Sequence, residues 1–181
     1  MGGDDLETAV VVTGHIGFAY LARAHFPRAE LVALVVATML PDLADFVLPQ
    51  GNQCRTTCGM YTHAFPAVVV LAAAMSALAW GVWHRRITAM LAGALVILHV
   101  ASDFATGYKP FWLGGPPTGL SLYRFGTVDF FVESAMMTVG FLILRRSPKP
   151  PRVATHPLTL VFLVAAQGAF DLWNAGLLST R

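Results

Sequence analysis

Apolar residues dominate six stretches of the chain, roughly 6–24, 29–48, 62–83, 87–105, 127–144 and 157–178. Each approaches the ~20 residues needed to cross a ~30 Å hydrocarbon layer. The first, second and fourth also carry internal polar residues. In lipid every backbone polar group needs a partner within the segment, so stretches of this kind must be helices. The pattern predicts an all-α fold, an integral membrane bundle of about six transmembrane helices. It forms a single domain over residues 1–181. Two long polar connections, about 49–61 and 106–126, are read as loops.

Composition narrows the class. Of 181 residues, 56% are hydrophobic and only 12% are charged, and the mean hydropathy is +0.62. A soluble domain of this size carries about twice that charge, and a disordered chain is far less apolar. The net charge of +2 is too small for a nucleic-acid binder. The opening residues, Met1-Gly-Gly-Asp-Asp-Leu-Glu, lack the basic start and small-residue cleavage site of a secretory signal. The first apolar stretch is therefore expected to stay in the mature protein.

Charge placement orients the bundle. Arg23, Arg28, Arg85, Arg86, Arg145, Arg146, Lys149 and Arg152 fall on one side of the expected membrane. Arg55, Lys109, Arg124 and Arg181 fall on the other. The positive-inside rule then puts both termini and both long loops outside, with the protein in the cytoplasmic membrane. The 106–126 loop is rich in Tyr, Trp and Phe. Such a loop suits a lid or binding loop, and equally an interfacial anchor among membrane lipids.

Six acids lie inside or at the edge of apolar stretches: Asp42, Asp45, Asp103, Asp129, Glu133 and Asp171. Each costs roughly 2.5–3.5 kcal/mol at a helix centre, and less near an interface. His15, His63 and His99 accompany them toward the outer half of the bundle. Asp42/Asp45 are spaced i,i+3, and His99/Asp103 and Asp129/Glu133 are spaced i,i+4, so each pair shares a helix face. Close carboxylates repel unless a positive charge lies between them, and the apolar stretches supply no buried Lys or Arg. A divalent metal is the expected source. Imidazole with carboxylate suits zinc, manganese or iron. The metal ligands expected are His15, Asp42, His63, His99 and Asp103. Asp45 is a bridging ligand or the general base. Glu133 or Asp129 orients a ligand histidine, and Glu133 is a second catalytic candidate. Lys109 or Arg124 on the long loop steadies an anionic substrate.

Bland readings stand beside these. Pro41-Asp42 also fits a helix kink with a capping Asp, Asp45 a helix end at the interface, and His63 a cap after Thr62. His99 and Asp103 also fit a simple hydrogen-bonded pair, and Asp171 a structural hydrogen-bond partner. Cys54 and Cys58 share the first long loop; a disulfide is plausible in an oxidising compartment, and a metal role for Cys58 is the less favoured alternative.

Several short motifs run in order: Thr13-Gly14-His15-Ile16-Gly17-Phe18, Met39-Leu40-Pro41-Asp42-Leu43-Ala44-Asp45, Thr62-His63, and His99-Val-Ala-Ser-Asp103-Phe-Ala-Thr-Gly107. This series resembles the membrane-bound metal-dependent hydrolase family (YdjM-like) over about residues 13–146. The resemblance implies an all-helical membrane protein distantly similar to the zinc-dependent phospholipase C and single-strand nuclease fold, which cleaves phosphoesters with His- and Asp-bound zinc. Carried over by position, it implies His15, Asp42, Asp45, His63, His99 and Asp103 as ligands. Where that family shows His-Arg-Gly, this chain has Cys58-Gly59-Met60-Tyr61 ahead of Thr62-His63.

The leading expectation is a membrane-embedded metal-dependent hydrolase acting on an ester or phosphoester, lipid-linked or not, at the outer membrane–water interface. Membrane lipids are its expected partners, and no nucleic acid is. Two other classes compete. One is a transporter handling protons or metal ions; the apolar inner half of the helices argues against it. The other is a non-enzymatic membrane subunit with a structural metal or polar cluster, which the missing His-Arg-Gly element favours.

Overall fold

The computed structural model describes residues 13–47, 61–107, 109–120, 122 and 125–174. Among these the chain forms six α-helices: α1 Ile16–His25, α2 Leu31–Val47, α3 Phe65–Trp83, α4 Arg86–Thr106, α5 Gly126–Arg145 and α6 Pro157–Asn174. A 3-10 turn, Tyr61–His63, leads into α3, and a two-stranded antiparallel hairpin, β1 Lys109–Pro110 and β2 Pro117–Thr118, links α4 to α5.

The protein is mostly helical, and α3, α4 and α5 are long and apolar enough to cross a membrane. α6 carries a shorter apolar run, Pro157–Leu172. α1 has 10 residues and α2 has 17. The start of the expected 6–24 stretch, most of the 49–61 loop with Cys54 and Cys58, and Arg124 lie outside the described residues.

Side-chain size sets the packing. α1 contacts α2 and α5, α4 contacts α2 and α3, and α6 packs on α5. The main core holds Ala19 of α1, Ala33, Leu34 and Ala37 of α2, Val68, Ala72, Met75 and Ala79 of α3, and Ala92, Leu95, Val96 and Val100 of α4. Small residues dominate, and they let the helix backbones approach closely enough for van der Waals contact. Gly93 of α4 lies against Ser76 and the Ala72 carbonyl of α3. Gly17 of α1 and Gly140 of α5 meet backbone to backbone. A smaller core of Ile16, Tyr20, Phe141 and Leu144 fills the same α1–α5 seam. Outward-facing Val69, Val70, Leu78 and Val82 of α3, Met90 and Ile97 of α4, and Phe131 and Val139 of α5 remain exposed. An apolar surface of this extent suits contact with lipid or another protein rather than water.

The up-and-down course separates two ends of the bundle. α3 ends at His84 in a left-handed conformation (φ 52°) and the chain reverses into α4. There Arg85 pairs with Glu30 at 3.0 Å and donates to the Arg28 carbonyl at 2.7 Å. The basic turns before α2 and before α4 therefore share one end. His15, Asp42, His63 and Asp103 sit at the opposite helix ends.

The Gly17–Gly140 contact is directly testable. A Cβ at Gly140 would overlap the Gly17 backbone, whereas one at Gly81 meets nothing within 4 Å. Gly140→Leu is expected to destabilise the protein by about 1–3 kcal/mol through overpacking. Gly81→Ala is expected to be neutral or to stabilise by up to ~1 kcal/mol. Unfolding in detergent micelles, followed by circular dichroism, distinguishes them.

Candidate metal centre

The centre is built around Pro41, which lies inside α2. Pro41 has no N–H to give the helix ladder, and its ring crowds the preceding turn. The Thr38 carbonyl, one turn before Pro41, accepts a hydrogen bond from His99 Nδ1 at 2.5 Å. The Pro41 carbonyl accepts from Thr62 Oγ1 at 3.1 Å, which fixes the 3-10 turn against α2 and carries His63 inward. Asp42 follows Pro41 and faces the same space. From α4, the i,i+4 spacing of His99 and Asp103 brings both side chains to one face.

Four atoms converge. His63 Nε2 lies 3.4 Å from Asp42 Oδ1 and 3.0 Å from Asp103 Oδ2. His99 Nε2 lies 3.5 Å from Asp42 Oδ1 and 3.4 Å from Asp103 Oδ2. The two Nε2 atoms are 3.3 Å apart. All four residues are buried, and together they form a group able to hold a metal ion. Five edges of the polyhedron thus fall between 3.0 and 3.5 Å. A regular tetrahedron of about that edge has its centre ~2.0 Å from each corner, within the range of metal–imidazole and metal–carboxylate bonds.

Ring orientation strengthens the fit. A carbonyl oxygen only accepts, so His99 Nδ1 carries the proton. His63 Nδ1 lies 2.9 Å from Asp45 Oδ2, and an ionised carboxylate likewise only accepts. With Nδ1 of each ring engaged outward, both Nε2 atoms turn inward, facing two carboxylate oxygens. Four electron-rich atoms in an apolar bundle require a cation. Outer partners of this kind, a carboxylate on one ring and a carbonyl on the other, are the usual orienting groups of metal-bound histidines.

The positive charge missing from the apolar stretches comes in part from a loop. Lys109 of β1 is buried. Its ammonium hydrogen-bonds Asp103 Oδ2, stands 2.9 Å from His63 Nε2, and lies 4.0 Å from Asp42 Oδ1. Burial pulls its pKa down, but Asp103, Asp42 and Asp45 outweigh that and hold it above the ordinary lysine value. The sequence expectation of a solvent-side cation steadying a substrate does not describe this position. The chain turns at Gly107 directly after α4, and this short return folds Lys109 back onto Asp103. Lys109 does not reach all four atoms. Among the described residues, His99 Nε2 faces acceptors.

The remaining expected residues surround this core. His15 is buried beside it, with Nε2 3.0 Å from Asp103 Oδ1 at ion-pair distance but outside hydrogen-bond alignment. Its ring centroid lies 4.0 Å from that of His99, with the two rings tilted by 45°. Its Nδ1 approaches Ser102 Oγ at 3.2 Å, and Ser102 donates to the His99 carbonyl at 2.7 Å. His15 is thus a neighbour on the far oxygen of Asp103, outside the four-atom group. Asp45 also stands outside the group and orients His63. Glu133 is fully buried, and its carboxylate oxygens have no hydrogen-bond partner among the described residues. It lies against Gly14, where a Cβ would overlap its carboxylate. Asp129 is buried nearby on α5. Asp171 accepts from Gln167 at 3.0 Å, while Thr13 hydrogen-bonds Gln167 in turn; this chain ties the start of α1 to α6. The contributions of Thr38, Thr62 and Ser102 were invisible in sequence, since a backbone carbonyl and common hydroxyls leave no distinctive pattern.

Comparison with protein-family models, with curated proteins and with solved structures finds no match to this chain.

Asp45 touches His63 and lies outside the four-atom group, so its role can be isolated. Asp45→Asn is expected to weaken divalent-ion binding by roughly 10–100-fold while leaving the stoichiometry unchanged. Isothermal titration of detergent-solubilised protein reads both quantities. An unchanged affinity would remove Asp45 from the centre.

Proposed function

We propose that this protein is a membrane-embedded metal-dependent hydrolase, acting on an ester or phosphoester at the outer membrane–water interface. The observation that carries the reading is the convergence of His63 Nε2, His99 Nε2, Asp42 Oδ1 and Asp103 Oδ2, with both rings oriented from behind by Asp45 and the Thr38 carbonyl. Two imidazoles with two carboxylates suit zinc first, and manganese or iron next. Such an ion, when bound, supplies Lewis acidity and lowers the pKa of a bound water.

The chain's own residues divide the remaining work. Asp42 and Asp103 contribute negative charge, His63 and His99 contribute neutral donors, and Asp45 and Thr38 keep the rings in register. Asp45 is a positioning residue in this account. Glu133, buried and unengaged by any hydrogen bond, is the general-base candidate. Location supports an interfacial substrate. The centre sits at the helix ends remote from the basic turns, which the positive-inside rule assigns to the outer face. Beside it the β1–β2 loop exposes Phe111, Trp112 and Leu113, residues suited to the headgroup boundary. A lipid or lipid-linked ester reaches such a site without leaving the bilayer. The ordered motifs resembling the membrane-bound metal-dependent hydrolases favour the same reaction class.

The test uses purified protein in detergent and its His99→Ala variant. His99 is preferred to Asp103 for this purpose, because removing Asp103 would also strand the buried Lys109 ammonium, a loss of about 3–5 kcal/mol. Mass spectrometry is expected to find at least one transition-metal equivalent in the parent and none in the variant. Hydrolysis of phosphomonoester, phosphodiester or carboxyl-ester probes should follow the metal. Retained stoichiometric metal in His99→Ala would contradict the ligand assignment. Bound metal without turnover, together with metal uptake into sealed proteoliposomes, would favour a transporter instead.

A further inference from the structure

His63 Nε2 has one lone pair and two claimants. Its Nδ1 is directed at Asp45, 2.9 Å away, and toward an ammonium, which only donates, its Nε2 acts as the acceptor. Lys109 Nζ stands 2.9 Å from that atom and also hydrogen-bonds Asp103 Oδ2. These are two of the four atoms that define the metal polyhedron. A lone pair that accepts an ammonium proton cannot at the same time bind a metal ion. Two cations drawn to the same pair of atoms also repel strongly in a medium of low dielectric constant.

We propose that Lys109 and a divalent metal ion are alternative occupants of the Asp42/His63/His99/Asp103 cage, so that the hairpin carrying Lys109 acts as a tethered, metal-displaceable plug. The inference rests on the metal-centre reading and adds regulation to it. The architecture suits a plug. Lys109 is the first residue of β1, and Thr118 of β2 approaches its carbonyl at 3.4 Å. The hairpin is docked on α3 through Phe65 N–H, which donates to the Phe111 carbonyl at 2.9 Å. It can therefore be held from outside while the lysine stem swings. Gly119 (φ +133°) packs where a Cβ would meet the Gly107 carbonyl, which closes the return tightly enough to drive Lys109 inward. With protons alone, the ammonium neutralises part of the cage. A metal takes over that role, and the lysine leaves with its proton.

Two measurements test this on the full-length protein. The first compares zinc or cobalt affinity of the parent protein with Lys109→Met and Lys109→Gln, by competition with a chromogenic chelator. Removing the competitor is expected to tighten binding at least tenfold. The second labels amines on the parent protein with acetic anhydride, read by peptide mass spectrometry with and without saturating metal. Lys109 is expected to be protected without metal and labelled with it. Equal or weaker affinity in both variants, or labelling unchanged at metal saturation, overturns the plug while leaving the metal centre intact. No binding in the parent or either variant overturns both. The labelling arm needs no substitution, so a variant that fails to fold does not shield the proposal.

Discussion

Four electron-rich atoms held together inside an apolar bundle constitute the constraint on which the rest of the structure depends. Asp42, His63, His99 and Asp103 come from three separate elements. Their mutual approach to 3.0–3.5 Å opposes both carboxylate repulsion and the cost of burying charge. It persists only with a cation at the focus. The cation is a lysine, an imidazolium proton or a metal ion, and the placement of the first two leaves the polyhedron suited to the third.

Delivery of these groups is a packing problem, which the helices solve with small residues. Alanine-rich faces on α2, α3 and α4 bring the three elements close. The Gly17–Gly140 contact brings α1 against α5, so that His15 and Glu133 reach the margin of the same site. Pro41, inside α2, is flanked by two groups of the site: Asp42 follows it, and the Thr38 carbonyl that fixes His99 lies one turn before it. A core of larger side chains would separate the helices and dissolve the centre.

Much of this was legible in the sequence, for identifiable reasons. Six apolar stretches predict six helices, and their positions agree closely for α3 to α5, where the apolar runs are long and well bounded. The six-span bundle is a finer statement than the structure supports, because α2 has 17 residues with Pro41 and two acids inside it. Local spacing placed His99 with Asp103, since i,i+4 on a helix enforces proximity. The grouping of Asp42 and His63 with them rests on tertiary contacts that no local pattern specifies. The least legible feature is Lys109. It lies outside the apolar stretches, so counting cations in those stretches misses it, and only the tight return after Gly107 reveals its inward direction. Asp45 shows the same limit. Its spacing from Asp42 marks it as a companion of the site, but a bridging or basic role could be separated from positioning His63 only by the observed Nδ1 contact.

The account stands or falls on the contents of the cage. X-ray absorption at the zinc edge, on detergent-purified protein reconstituted with one equivalent of zinc, reports them directly. The account predicts a shell of nitrogen and oxygen atoms at about 2.0 Å with outer-shell scattering from two imidazole rings. Protein that binds no zinc, or zinc whose spectrum lacks imidazole scattering, would contradict it.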